Sequence, residues 1–137
     1  RQAYVDPASG KTRPVRVLRG FDKPEHKWSA GHRGVDMALR IGGTVVAADS
    51  GTVAFVGTVA GTPVISIDHA DGIRTTYQPV HASVTQGQEV REGQTIGKLG
   101  HPVDGKPGLH WGARIAKDSY VDPLSLLDMP VIRLKPL

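Results

Sequence analysis

A histidine and an aspartate four residues apart, in Gly31-His32-Arg33-Gly34-Val35-Asp36, are the first residues along this chain equipped for chemistry. With Gly34 between them to free the backbone, an imidazole nitrogen and a carboxylate oxygen can converge on one metal ion even from an irregular loop. Taken alone, the pair also fits a surface histidine beside a solvated aspartate. The second group is Gly108-Leu109-His110-Trp111-Gly112-Ala113-Arg114-Ile115. In a strand of period two, Leu109, Trp111 and Ala113 share the core face, and His110 points to a face lined by Gly108 and Gly112, the floor of an open cleft. A histidine satisfied by a backbone carbonyl is the alternative from this strand alone. Together, His32, Asp36 and His110 offer two neutral nitrogens and one oxygen. That set suits zinc and leaves a fourth tetrahedral position for water or substrate.

The elements that must position these residues are short strands. From Gly42 onwards, β-branched runs recur every 8 to 12 residues between Gly, Asp or Pro: 44–47, 52–56, 64–67, 73–77, 95–99 and 110–115. This spacing predicts an antiparallel sandwich or barrel. A faint repeat relates Gly42-Gly43-Thr44-Val45-Val46, followed by Gly51, to Gln86-Gly87-Gln88-Glu89-Val90, followed by Gly93. Residues 1–30 hold Pro7, Gly10, Pro14, Gly20 and Pro24 around one short strand candidate, 16–19, and read as an irregular surface arm on a domain of residues 31–137. Near the C-terminus, Asp122 can cap a helical turn that starts at Pro123.

The 137 residues amount to one domain, with 39% hydrophobic and 22% charged residues and no apolar run of membrane-spanning length. The absence of cysteine excludes disulfides, thiolate metal sites and cysteine nucleophiles. The net charge of +4 comes from scattered Lys and Arg, without the basic run and interleaved aromatics of a nucleic-acid groove, so nucleic acid is not an expected partner. The chain opens at Arg1 with no signal-like segment, and is read as a trimmed or matured fragment.

Gly31 to Asp36, then Thr76-Tyr77, then Gly87-Gln88-Glu89-Val90-Arg91-Glu92-Gly93-Gln94-Thr95-Ile96-Gly97, then Leu109-His110-Trp111 closely resemble, in order, the LytM/lysostaphin-type zinc metallopeptidases. The resemblance implies an all-β, antiparallel sandwich hybrid of duplicated type, closed by a short C-terminal helical turn. It also implies a zinc ion held by His32, Asp36 and His110, and action outside the cytoplasm on peptidoglycan peptides. Active members carry two further histidines, whose positions here are Gly108 and Pro79. Neither can carry a proton, so the resemblance points to a degenerate member with little or no peptidase activity. Such a member binds a wall peptide or an envelope protein and regulates wall remodelling. The alternative is an active endopeptidase in which His81 or His101 substitutes as proton carrier. Tyr77, Arg33, Arg114 and Trp28 are candidate substrate contacts, whereas Trp111 is expected in the core. The Gly87 to Gly97 pattern also resembles half of a biotinyl or lipoyl carrier domain, but no lysine lies between Lys27 and Lys98 to bear the cofactor.

Overall fold

The computed structural model describes residues 4–14, 16–21, 34–102, 107–116 and 119–127. His32, Arg33, Trp28 and His26 therefore lie outside the described residues. The architecture is the expected antiparallel all-β one, with two sheets. Its strands are β1 (Val17–Arg19), β2 (Gly34–Met37), β3 (Thr44–Val46), β4 (Gly51–Val59), β5 (Thr62–His69), β6 (Arg74–Gln78), β7 (Val80–Ala82), β8 (Glu89–Val90), β9 (Thr95–Leu99), β10 (Leu109–Ala116) and β11 (Ser119–Val121). The larger sheet runs β1-β2-β10-β6-β5-β4-β8, with β11 also on β10, and the smaller one runs β3-β9-β7.

β10 organises the larger sheet. Its N-terminal half pairs with β2, its C-terminal half pairs with β11 on the same side, and β6 runs along its other side. Alternation along β10 places Leu109, Trp111 and Ala113 in the core, as the period-two pattern predicts. There Leu109 and Trp111 join Val35 and Met37 of β2 and Ile65 and Ile67 of β5. Each such large apolar side chain contributes roughly 1.5–3 kcal/mol by leaving water.

Between β6 and β7 the chain changes sheets at Pro79. A proline has no N–H to continue a ladder, so β6 ends at Gln78 and β7 pairs instead with β9. The predicted C-terminal turn is a 3₁₀ turn, Pro123–Leu126, whose Leu124 N–H donates to the Asp122 carboxylate at 3.0 Å. The N-terminal stretch enters deeper than a surface arm. Tyr4 is fully buried, Val5 nearly so, and Tyr4 bridges in parallel to Leu127.

Inside the core, one hydrogen-bond chain links three elements. The Ala48 N–H donates to the Tyr77 hydroxyl (3.1 Å), which is 2.7 Å from Thr75 Oγ1, itself 2.7 Å from His69 Nε2; His69 Nδ1 lies 2.9 Å from the Ser50 carbonyl. The carbonyl can only accept, which assigns the ring proton to Nδ1. Tyr77 then donates to Thr75, and Thr75 to Nε2. His69 ends β5, with Tyr4 packed edge-on at 5.0 Å.

Candidate functional site

Antiparallel pairing sets Asp36 directly opposite His110, and His110 directly opposite Gln78. Directly opposed residues share a face, so a carboxylate, an imidazole and a carboxamide form one row across three strands. His110 Nδ1 and Asp36 Oδ1 are 3.0 Å apart. Asp36 is 7% exposed, so its carboxylate has left water and needs a proton donor or cation at this spot. The imidazole has room because Gly34 lies beneath it. A Cβ at that position would stand 2.8 Å from His110 Nε2 and 2.5 Å from the Trp111 carbonyl oxygen.

The donor chemistry fits zinc. Two ligand atoms at about 2.05 Å from a tetrahedral ion lie roughly 3.3 Å from each other, close to the spacing of these two. Among the described residues no group of three or more His, Asp or Glu side chains converges as a metal site; Asp36 and His110 make a pair.

Next to His110 is a cavity of about 220 Å³ lined by Thr76, Gln78, His110, Arg114 and Tyr120, together with Gly112 and Ala113. Arg114, expected as a substrate contact, is on its wall. Tyr77 is placed otherwise: it lies on the opposite face of β6, fully buried. Burial pushes its phenol up to about 12, against the opposing pull of its hydrogen bonds with Thr75 and Ala48. It cannot meet a substrate from there. His81 follows the chain into the smaller sheet, where its ring packs on the backbone of Gly100; a Cβ there would lie 2.8 Å from Nε2. His101 is exposed after β9, and neither histidine lines the cavity. Gly108 has φ +91°, and a Cβ would stand 2.4 Å from the Met37 carbonyl oxygen, so this backbone conformation does not accept a histidine.

Gln78 is the site residue that sequence reasoning missed. Alternation from the core residue Tyr77 sends it outward, but only the register of β6 against β10 puts it beside His110.

The sequence profile of Peptidase family M23 matches residues 30–123. This chain belongs to Peptidase family M23. The M23 chain is 50% identical over 130 residues to protein Rv2891 of Mycobacterium tuberculosis (strain H37Rv), covering 90% of this chain and 52% of that protein. It is 35% identical over 99 residues to stage II sporulation protein Q of Bacillus subtilis (strain 168), covering 70% and 32% respectively. It thus spans about half or less of the length of these relatives. Among solved structures, the SpoIIQ–SpoIIIAH pore forming complex superposes with a TM-score of 0.76 at 26% identity, over 95% of this chain and 94% of that one. A zinc containing peptidase from Vibrio cholerae gives 0.68 at 27%, over 94% and 41%. The fold is therefore shared both with a zinc containing peptidase and with a protein solved in complex with another protein.

Proposed function

We propose that this M23 domain is a zinc-binding module of the bacterial cell envelope that engages peptidoglycan peptides or an envelope protein partner and has little or no peptidase activity. His32, Asp36 and His110 are the proposed ligands, and residues 1–30 are read as an arm of the same domain. The observation that carries the proposal is the 3.0 Å approach of His110 Nδ1 to a buried Asp36 carboxylate, with His110 on the wall of the neighbouring cavity. The zinc containing peptidase among the structural neighbours supports the metal, and the SpoIIQ–SpoIIIAH complex supports a protein partner.

Bound zinc supplies Lewis acidity, polarising a carbonyl and bringing the pKa of a water to about 7. The chain's own residues do the rest. Asp36 and His110 hold two donor atoms in place, Gly34 leaves room for the imidazole against β2, and Gln78 presents an amide that can donate to or accept from a peptide group. A positioned proton carrier is worth roughly 10²- to 10⁴-fold in rate. The left-handed backbone at Gly108, the proline at position 79 and the placement of His81 and His101 outside the lining of the cavity beside His110 all support weak hydrolysis.

The test pairs zinc stoichiometry with digestion of purified peptidoglycan. About one zinc per chain is expected, falling to near none in His110→Ala, with little peptide released by either protein. A zinc-free wild type refutes the metal site. Robust release that is lost in His81→Ala or His101→Ala would replace this reading with the endopeptidase one.

A further inference from the structure

β4 stands at the margin of the larger sheet, and only its start is covered. β8 pairs with Gly51 and Thr52, and the backbone of Gly87 and Gln88 bonds to Val53. Past the register shift between Val53 and Phe55, residues 54–59 have β5 on one side and, among the described residues, no strand on the other. The run Ala54, Phe55, Val56, Gly57, Thr58, Val59 holds no charge and no proline. Beyond the bulge, therefore, this edge lacks the side chains that ordinarily keep strand edges from pairing.

The turn at the tip fixes which backbone groups are open. Ala60 (φ +50°) and Gly61 (φ +83°) make a two-residue connection with both φ positive, a type I′ hairpin in which the flanking Val59 and Thr62 exchange both hydrogen bonds. Alternation then makes Gly57–Val64 a bonded pair, and Val56–Ile65 and Thr58–Pro63 non-bonded pairs. Pro63, with no N–H to give, suits a position whose N–H faces away from β4. The N–H and C=O groups of Val56 and Thr58 thus point outward at the margin, where no backbone group of the described residues meets them. Phe55, Gly57 and Val59 share one face of the strand. The Phe55 ring folds over Gly57, where a Cβ would stand 2.7 Å from Cζ, and Val59 is 55% exposed.

We infer that this edge pairs with the same edge of a second copy of the chain, antiparallel about a two-fold axis at Gly57. In that register Val56 of each copy faces Thr58 of the other, which gives four backbone hydrogen bonds. Phe55 of each copy faces Val59 of the other, an aromatic against a β-branched residue. Glycine meets glycine on the axis, where a non-bonded pair brings the Cα atoms to about 4.5 Å. The edge is therefore complementary to itself, with no charge to neutralise, and this selects a second copy over a strand of another protein. The contact is isologous and closes at two copies. Edges of this length bury less than the roughly 1,200 Å² of a stable interface, so the dimer is weak and depends on concentration. Gly57 lies opposite Val64, and the β5–β6 register, carried one pair further, sets Val64 opposite Gln78, in the row of His110. The two-fold axis leaves both His110 faces on one side of a continuous sheet, about 34 Å apart over seven strand spacings. Two such sites can engage one polymer bivalently. The dimer itself needs neither metal nor wall ligand, so it stands or falls separately from the function proposed above.

The test is sedimentation velocity from low micromolar to near-millimolar concentration, with reversible dimerisation expected for the wild type. Val59→Lys, at an exposed site, should weaken the dimer roughly ten-fold or more, because each substitution acts twice. Thr58→Pro leaves the β4–β5 bonds intact and removes two of the four new ones, so it should remain monomeric. Should Thr58→Pro disturb the hairpin, Val59→Lys carries this arm alone. The chain has no cysteine, so register can be read directly. Oxidation of an equimolar mixture of Phe55→Cys and Val59→Cys proteins should give a disulfide-linked dimer. Either protein alone should not, since like positions lie about 13 Å apart along the strands. A wild type that stays monomeric throughout overturns the inference and leaves the edge to a strand of another protein or to solvent. A dimer equally strong in both edge variants overturns it too, as does cross-linking of either cysteine variant alone as readily as the mixture.

Discussion

Gly34→Ala perturbs the proposed metal site through geometry alone, without touching a ligand. The new methyl stands 2.8 Å from His110 Nε2 and 3.0 Å from Cε1, so the ring is about 0.6 Å too near for ordinary contact. A displacement of that size, directed away from β2, stretches the 3.0 Å approach to Asp36 towards the roughly 3.5 Å at which it is no longer a hydrogen bond. The methyl also stands 2.5 Å from the Trp111 carbonyl oxygen, which pushes β2 and β10 apart. Overpacking of this kind costs about 1–3 kcal/mol, or roughly 3–12 °C in Tm for a domain of this size. Disturbing the support of a metal ligand lowers zinc affinity by 10- to 100-fold.

Gly51→Ala separates the two effects. Its Cβ meets the Asp68 carbonyl oxygen at 2.3 Å, a comparable clash between β4 and β5, strands that do not carry the His110–Asp36 pair. Zinc competition against a chromogenic chelator, with thermal unfolding of the metal-free proteins, should show both variants destabilised and only Gly34→Ala impaired in zinc binding. Unchanged affinity in Gly34→Ala, or an equal loss in both, refutes the idea that the bare backbone at position 34 seats the imidazole.

Tyr77→Phe removes a phenol whose folded-state pKa is raised to about 12. The wild type therefore keeps its full stability below pH 10 and loses about 2–3 kcal/mol as pH climbs to 12, a loss the variant escapes. Denaturant midpoints at pH 8 and pH 11.5 should show the variant weaker at pH 8, by about 1–3 kcal/mol, with the gap narrowing at the higher pH; a constant gap refutes the assignment. Tyr4→Ala empties a fully buried aromatic site and cuts the bond from its hydroxyl to Asp71, so unfolding should cost about 3–5 kcal/mol less. A shift in Tm below about 3 °C would show that the N-terminal stretch contributes little to the fold.

Strands were legible wherever β-branched residues alternated between turn formers, so β3, β4, β5, β6, β9 and β10 all overlap their predicted segments. β2 was not, because Gly34-Val35-Asp36-Met37 mixes a glycine and an acid with two apolar residues, and only the neighbouring β10 makes them a strand. β8 and β11, of two and three residues, are too short to show a period. At the site, period two correctly separated Trp111 from His110, whereas Tyr77 was expected at the substrate, although its alternation with Gln78 faces it inward. Tyr4 escaped notice because nothing near it in sequence signals burial; its partners, Asp71 and Leu127, are distant along the chain. Whether Tyr4 packs inward is settled only by tertiary structure.

The hydrogen bonds running from Ala48 through Tyr77, Thr75 and His69 to Ser50 begin and finish on one three-residue corner, with every proton oriented the same way round. Such a circuit cannot lose a single contact cheaply, since opening any one joint strands a buried donor or acceptor elsewhere in the ring. It fastens the corner entering β4 to the underside of β6, and the upper side of that same strand carries Thr76 and Gln78. The corner and the outer face of β6 are thus two surfaces of one clamped plank, and loosening the hidden side should unsettle the side that borders the proposed site.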